Sequence, residues 1–221
     1  MIQKRTLDFL VVLKKNNNRQ WFQNNKPWYE EARKDFIGFI ELLALEIGKF
    51  DPAIGQVNPR EAMFRIYRDI RFSKDKSPYK ANMGAHIVPG GKKSGLAGYY
   101  FHIEPGDCFL AGGIYMPLPE ILKKVRREIY ENIEEFLSII ENKKFLDYFG
   151  KIWGEQLVNP PAGYPKDFEN INLLKYKNYT VLHSIPEDIL FGNTLLNEVI
   201  YGFKLMYPFN KFINYAITGN L

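Results

Sequence analysis

The sequence predicts an α+β protein: an antiparallel sheet of about four or more strands over residues ~62–115, packed with N-terminal and C-terminal helices in a single domain spanning residues 1–221. Three observations predict it. Apolar residues recur every three or four positions before residue 50, the spacing drops to two from Met63, and helical spacing returns from Pro119. With 46% apolar and 25% charged residues, the chain has the composition of a packed globular protein, not of a disordered or fibrous one. At this length it would bury roughly 70–75% of the surface that its unfolded form exposes.

The elements follow in order. Thr6 can cap a first helix running to about Lys15, which the Asn16-Asn17-Asn18 run interrupts because Asn competes for backbone hydrogen bonds. A second helix should start near Pro27, which is tolerated in a first turn, and reach about Lys49. Phe36, Ile40, Leu43, Ile47 and Phe50 line its buried face, with Trp21, Phe22, Trp28 and Tyr29 packing at its start. From Met63, Phe64, Ile66, Ile70 and Phe72 alternate with Arg65, Tyr67, Asp69 and Arg71, the pattern of a half-buried strand. Arg68 breaks that pattern and needs a carboxylate, a carbonyl or an anion for company.

A turn over Ser73–Pro78, a strand near Met83–Val88 and a loop at Pro89–Gly95 come next. The runs Leu96–Ile103 and Cys108–Tyr115 flank Glu104-Pro105-Gly106-Asp107, whose residues suit a hairpin turn. Helices are expected from Pro119 to about Glu131, from Ile133 through Ile140, and from Pro186 to about Met206, with Pro208 ending the last. The Asn159–Pro165 stretch is a proline-rich loop that could serve as a lid.

The net charge is +5, with 30 Lys plus Arg against 25 Asp plus Glu. All of that excess lies in one place. Arg60, Arg65, Arg68, Arg71, Lys74, Lys76, Lys80, Lys92 and Lys93 outnumber Glu61, Asp69 and Asp75 in a single stretch, so an anionic partner is expected there. The single Cys108 cannot form an internal disulfide, and no leader peptide or membrane-length apolar run is evident, so a cytoplasmic protein without a membrane partner is expected.

Several catalytic motifs fail. The Gly90–Gly95 stretch lacks the Gly-Lys-Ser/Thr ending of a phosphate loop, and the Ser73-to-Lys76 and Ser77-to-Lys80 pairs sit in a turn with their partner motifs in the wrong order. His86, His102 and His183 are too scattered for a helical metal pair, and no cofactor motif is found. The basic segment survives. Arg65, Arg68, Arg71, Lys76 and Lys80 would supply charge to an anionic ligand, Asp69 would orient the arginines, and Tyr79 would donate a hydrogen bond or stack. Were the protein an enzyme, Asp69 or His102 would be its acid or base.

The run Arg65-x-x-Arg68-Asp69-x-Arg71-Phe72-x-x-x-Lys76-x-Pro78-Tyr79-Lys80 resembles the signature of the DUF2461 family of bacterial proteins and fills each of its specified positions. Asn18-Arg19-Gln20-Trp21-Phe22, the Tyr99-to-Tyr115 hairpin and Leu173-Leu174-Lys175 are similar in kind and order. The resemblance brings no activity with it; it implies that the signature residues are the first to mutate. Three readings stay open: a pocket for an anionic small molecule, a nucleic-acid-binding module in which Lys92 and Lys93 extend the basic track, and a scaffold in which the Arg/Asp set is an ion-pair network.

Overall fold

A computed structural model describes residues 1–55, 57–71 and 73–219. Phe72, counted above in both the alternation and the signature, lies outside them. Helix α1 (Lys4–Lys15) starts earlier than expected, with Gln3 as its cap. Thr6 instead donates its hydroxyl to Asp35 Oδ2 at 2.6 Å, which ties α1 to the long helix α3 (Lys26–Gly48). Between them Asn18 caps the short α2 (Arg19–Asn24), its side chain accepting the Trp21 N–H at 2.9 Å. Phe9 of α1 lies among Trp21, Phe22, Trp28 and Tyr29, so these four are core aromatics as expected.

Strands β1 (Met83–Ile87), β2 (Gly98–Ile103), β3 (Phe109–Ile114) and β4 (Tyr179–Ser184) form an antiparallel sheet in sequence order. The α+β expectation of a sheet between terminal helices holds, although its strands lie at 83–114 and 179–184 and not over ~62–115. Alternation splits the sheet into two faces. On one, Phe101 packs on Phe36 and Phe39 of α3, and Tyr99 on Phe203 of the last helix. The other face carries Gly84, His86, Tyr100, His102, Phe109, Ala111 and Leu182, by the register of the ladder.

The strand expected over residues 64–72 does not form over the described residues 64–71. Among its described residues the segment holds only single bridges, Met63 to Ala85 and Tyr67 to Tyr79. Three further backbone bonds extend them: Phe64 N–H to the Gly84 carbonyl at 2.9 Å, Lys80 N–H to Ile66 at 2.7 Å and Arg68 N–H to Pro78 at 3.0 Å. The ladder stops there for local reasons. Pro78 has no N–H to give, and Asp69 accepts the Arg71 N–H at 3.2 Å, so the aspartate takes a donor that a strand would need.

After the short α4 (Pro59–Ala62) and the sheet's first three strands, α5 (Pro119–Glu131) and α6 (Ile133–Ile140) match the expected helices. Helices α7 (Lys143–Phe149) and α8 (Ile171–Leu174) and strand β4 were not anticipated. The loop offered as a lid is tied to α5: Tyr164 packs edge-on against Tyr130 at 5.3 Å, and Phe168 beyond the loop does the same at 5.0 Å. The final helix α9 runs Leu195–Thr218, starting later than expected and passing through Pro208. Burial of Phe203, Met206, Phe209, Phe212 and Ile213 on both sides of the proline outweighs the one backbone bond that it forfeits.

Candidate functional site

The signature segment, the end of α1 and the β2–β3 turn enclose an open groove of about 780 Å³. Its charged lining is Lys14, Arg68 and Lys80 against Asp69, Asp75 and Glu104, so it is a mixed-charge groove and not a uniformly basic pocket. Asn17, Ser77, Tyr79 and Asn82 contribute the remaining polar wall.

Most of the signature cations already have protein partners. Arg68 donates through Nη1 to Asp75 Oδ2, and to Ser77 Oγ at 2.9 Å, and through Nη2 to Ser73 Oγ at 3.4 Å. One guanidinium thus gathers both ends of the 73–77 turn. The Ser77 backbone and hydroxyl bonds, together with Arg68, hold the Asp75 carboxyl down at about 2. Arg71 grips Asp69 with two bonds, Nε to Oδ1 at 3.0 Å and Nη2 to Oδ2 at 2.6 Å, and so keeps the Asp69 carboxyl below its ordinary range. That is the wrong direction for a general base near neutrality. Lys76 donates to the Ile70 carbonyl at 2.9 Å. Tyr79 is buried and stacks on Phe22 with ring centres 3.9 Å apart, while its backbone N–H and carbonyl are both bound by the Asn17 side chain at 3.1 and 2.9 Å.

Lys80 differs. Its ammonium has no carboxylate and no hydrogen-bond acceptor among the described residues; its one close companion is the Phe64 ring, 5.5 Å away. Burial and the charges of Arg65 and Arg68 lower its pKa. Lys92, from the loop that follows β1, lies 4.7 Å from the centre of the same Phe64 ring and donates to the Met63 carbonyl at 2.7 Å. Burial and Lys80 lower its pKa too. Arg65 is exposed and makes no ion pair among the described residues. The structure therefore brings Lys80, Arg65 and Lys92 into one electrostatic neighbourhood and sets Arg71 and Lys76 to other work.

Beside Lys80, on the sheet face away from the helices, Tyr100 Oη lies 2.9 Å from His102 Nδ1. His102 Nε2 is 3.6 Å from Glu104 Oε2, and the imidazole stacks on Phe109 at 4.5 Å. Glu104 is itself held by Lys14 at 3.3 Å and by the Asn82 amide at 3.3 Å. Burial, only partly countered by Glu104 and Asp107, lowers the His102 pKa, and Lys80 pushes it the same way. Burial, then Glu104, raises Tyr100 to about 12. The His102 assignment as an acid–base candidate thus falls beside the unpaired lysine, while Asp69 is locked by Arg71.

Nothing in the sequence marks Lys14, Asn17 and Asn82 as site residues, and Glu104 reads from it only as part of the hairpin turn. The Asn16–Asn18 run was visible as a helix stop, but nothing local shows that Asn17 reaches across to Tyr79. Among the described residues no group of three or more His, Cys, Asp or Glu side chains could hold a metal ion, and no helix is long and apolar enough to cross a membrane.

Fold and groove together define an α+β protein whose four-stranded antiparallel sheet is backed by helices on one face and bordered on the other by a polar groove, lined in part by a lysine that has no ion pair among the described residues. The chain belongs to the family described as conserved hypothetical protein (DUF2461), which matches residues 5–212 of the 221. No curated protein and no solved structure matches it.

Proposed function

We propose that the protein binds a phosphorylated or otherwise anionic small ligand in this groove, with the negative group at Lys80 and with Arg65 and Lys92 beside it. One observation carries the reading: a half-buried ammonium, with the charges of Arg65 and Arg68 acting on it, has no ion-pair partner among the described residues. Gathering cations without a counter-charge costs stability, and an anion in the groove removes that cost. The groove's dimensions suit a small molecule. Phe64, with 39% of its surface exposed, offers a flat apolar surface beside the Lys80 ammonium.

The remaining signature residues support this reading indirectly. Arg68, Arg71 and Lys76 shape the 68–78 loop through the contacts above, and this scaffold part of the signature holds Lys80 against Phe64. Melting of the protein with inorganic phosphate, pyrophosphate and a panel of phosphate monoesters tests the proposal, since a ligand that binds only the folded form raises Tm saturably. A parallel titration of His86 by NMR adds a site-specific probe. Burial and the neighbouring Lys92 charge push that imidazole down to about 4, so an anion at Lys92 raises its pKa. A nucleic-acid ligand would instead show affinity falling linearly in log–log form with salt. If no anion raises Tm and His86 titrates unchanged throughout, the proposal fails.

A further inference from the structure

We propose that Tyr100, His102 and Glu104 form a hydroxyl–imidazole–carboxylate relay that makes Tyr100 a nucleophile toward a phosphate ester held at Lys80. The relay stands on its own geometry; only the substrate class rests on the anion site above. With Tyr100 as donor, its hydroxyl hydrogen points at His102 Nδ1, 2.9 Å away, and the imidazole proton sits on Nε2, facing Glu104 Oε2 at 3.6 Å. This is the order of parts that activates an otherwise weak oxygen nucleophile: a base on the hydroxyl and a carboxylate behind the base.

The surroundings fit that role. Tyr100 can lie across the neighbouring strand only because residue 84 is glycine: a Cβ there would overlap the tyrosine hydroxyl. Phe109 stacks flat on the imidazole and fixes its plane, while Lys14 and Asn82 hold the Glu104 carboxylate from the other side. The charged and titratable groups that face His102 are Tyr100 on its own strand, Glu104 and Asp107 in the turn, and Lys80 from the signature segment. Their sum, with burial, leaves His102 neutral at pH 7, the form that a base needs, and leaves Tyr100 un-ionised until its proton is taken. Lys80, whose charge reaches His102, would supply positive charge to the phosphoryl oxygens.

In the step, the Tyr100 oxygen forms a bond to phosphorus as the ester P–O bond breaks. The phenolic proton passes to His102 Nδ1 and the electron pair leaves on the alcohol oxygen. The alcohol oxygen, on the far side of phosphorus, takes its proton from water, and His102 releases the phenolic proton to solvent. The products are the alcohol and a tyrosyl phosphate, which water can cleave.

Sulfonyl fluorides test the relay without knowledge of the alcohol, because the same attack at sulfur expels fluoride. Wild-type protein is treated with 4-(fluorosulfonyl)benzoate, which is anionic, and with neutral benzenesulfonyl fluoride, and modification is mapped by mass spectrometry. The relay predicts that Tyr100 reacts on the order of a hundredfold faster than exposed Tyr67 or Tyr115. Its rate should reach a plateau once His102 is deprotonated, near or below neutrality. His102→Gln removes that acceleration. Glu104→Gln moves the onset to lower pH, because the carboxylate raises the His102 pKa, and a merely structural role would not move it. Gly84→Ala, which displaces the Tyr100 hydroxyl while leaving all three relay residues in the sequence, also removes the acceleration. Failure of Tyr100 to react, or a rate climbing continuously toward its own pKa of about 12, overturns the relay. Should both reagents label Tyr100 at the same plateau rate without protection by phosphate, the relay holds and the anion site at Lys80 is refuted.

Discussion

Replacing Lys80 with Met separates a binding lysine from a structural one, because methionine keeps the side-chain stem and removes only the charge. In the unliganded protein two opposing effects follow. The contact with Phe64, worth about 0.5–1 kcal/mol for a cation over a ring, is lost. The cost of a half-buried ammonium beside Arg65 and Arg68 is relieved by a comparable amount. The expected net change is within about 1 kcal/mol, or roughly 2–4 °C in Tm for a chain of this size. Binding responds differently. A charge-assisted hydrogen bond contributes about 1.5–3 kcal/mol, so Kd should rise on the order of 10- to 150-fold. At a ligand concentration of about 100 times the wild-type Kd, the wild-type gains about 2.7 kcal/mol of stability and the variant about 1.4 or less. Differential scanning fluorimetry with and without ligand reads both quantities. A variant that retains the full ligand-induced shift, or that loses more than about 2 kcal/mol before any ligand is added, refutes the assignment of Lys80 as the anion-binding cation.

Arg68→Ala should lower the free energy of urea unfolding by about 1–3 kcal/mol and leave the loop between residues 70 and 77 more open to proteolysis, since Asp75, Ser73 and Ser77 lose their shared donor; unchanged stability would assign this arginine to ligand and not to scaffold. For His86 the folded pKa of about 4 lies below the unfolded value of about 6.5, so the unfolded chain binds more protons between those values. Stability is therefore fully present above about pH 6.5 and falls by about 2–3 kcal/mol as pH drops through about 4. His86→Asn should flatten that slope in chemical denaturation at pH 7, 6 and 5. Gly112→Ala places a Cβ over the Met206 sulfur and 2.6 Å from the Gly98 carbonyl oxygen, an overlap of α9 with the sheet expected to cost about 1–3 kcal/mol and to appear as a lower denaturant midpoint.

The presence of α1, α3, α5, α6 and of the β2–β3 hairpin was legible because each is fixed by its own residues. The Asn16–Asn18 run marks a stop, Pro27 and Pro119 mark starts, Phe36 through Ile47 trace a buried stripe, and Pro105-Gly106 make a turn, all within a few residues of the effect they have. Strand β4 carried a comparable signal in Tyr179-Thr180-Val181 but follows a 64-residue excursion from β3, so its pairing depends on how α5 to α8 pack and not on its neighbours in sequence. Pro208 misled for the same reason: burial of Phe209, Phe212 and Ile213 in a shared core overrides a local stop.

In the candidate site, sequence by itself determined which residues carry charge and that the excess is confined to one stretch. It also singled out Lys80 and His102, though without setting them apart from their neighbours. Only the tertiary structure decided which of these cations are paired with a carboxylate of the protein. Arg68 faces Asp75 and Arg71 faces Asp69 because the chain bends between residues 68 and 78, whereas Lys80 meets Phe64, Arg65 and Lys92 across the ribbon that closes that bend. The physical reason is that charge belongs to a residue, while its neutralisation depends on distances of a few ångströms between groups that the sequence leaves far apart.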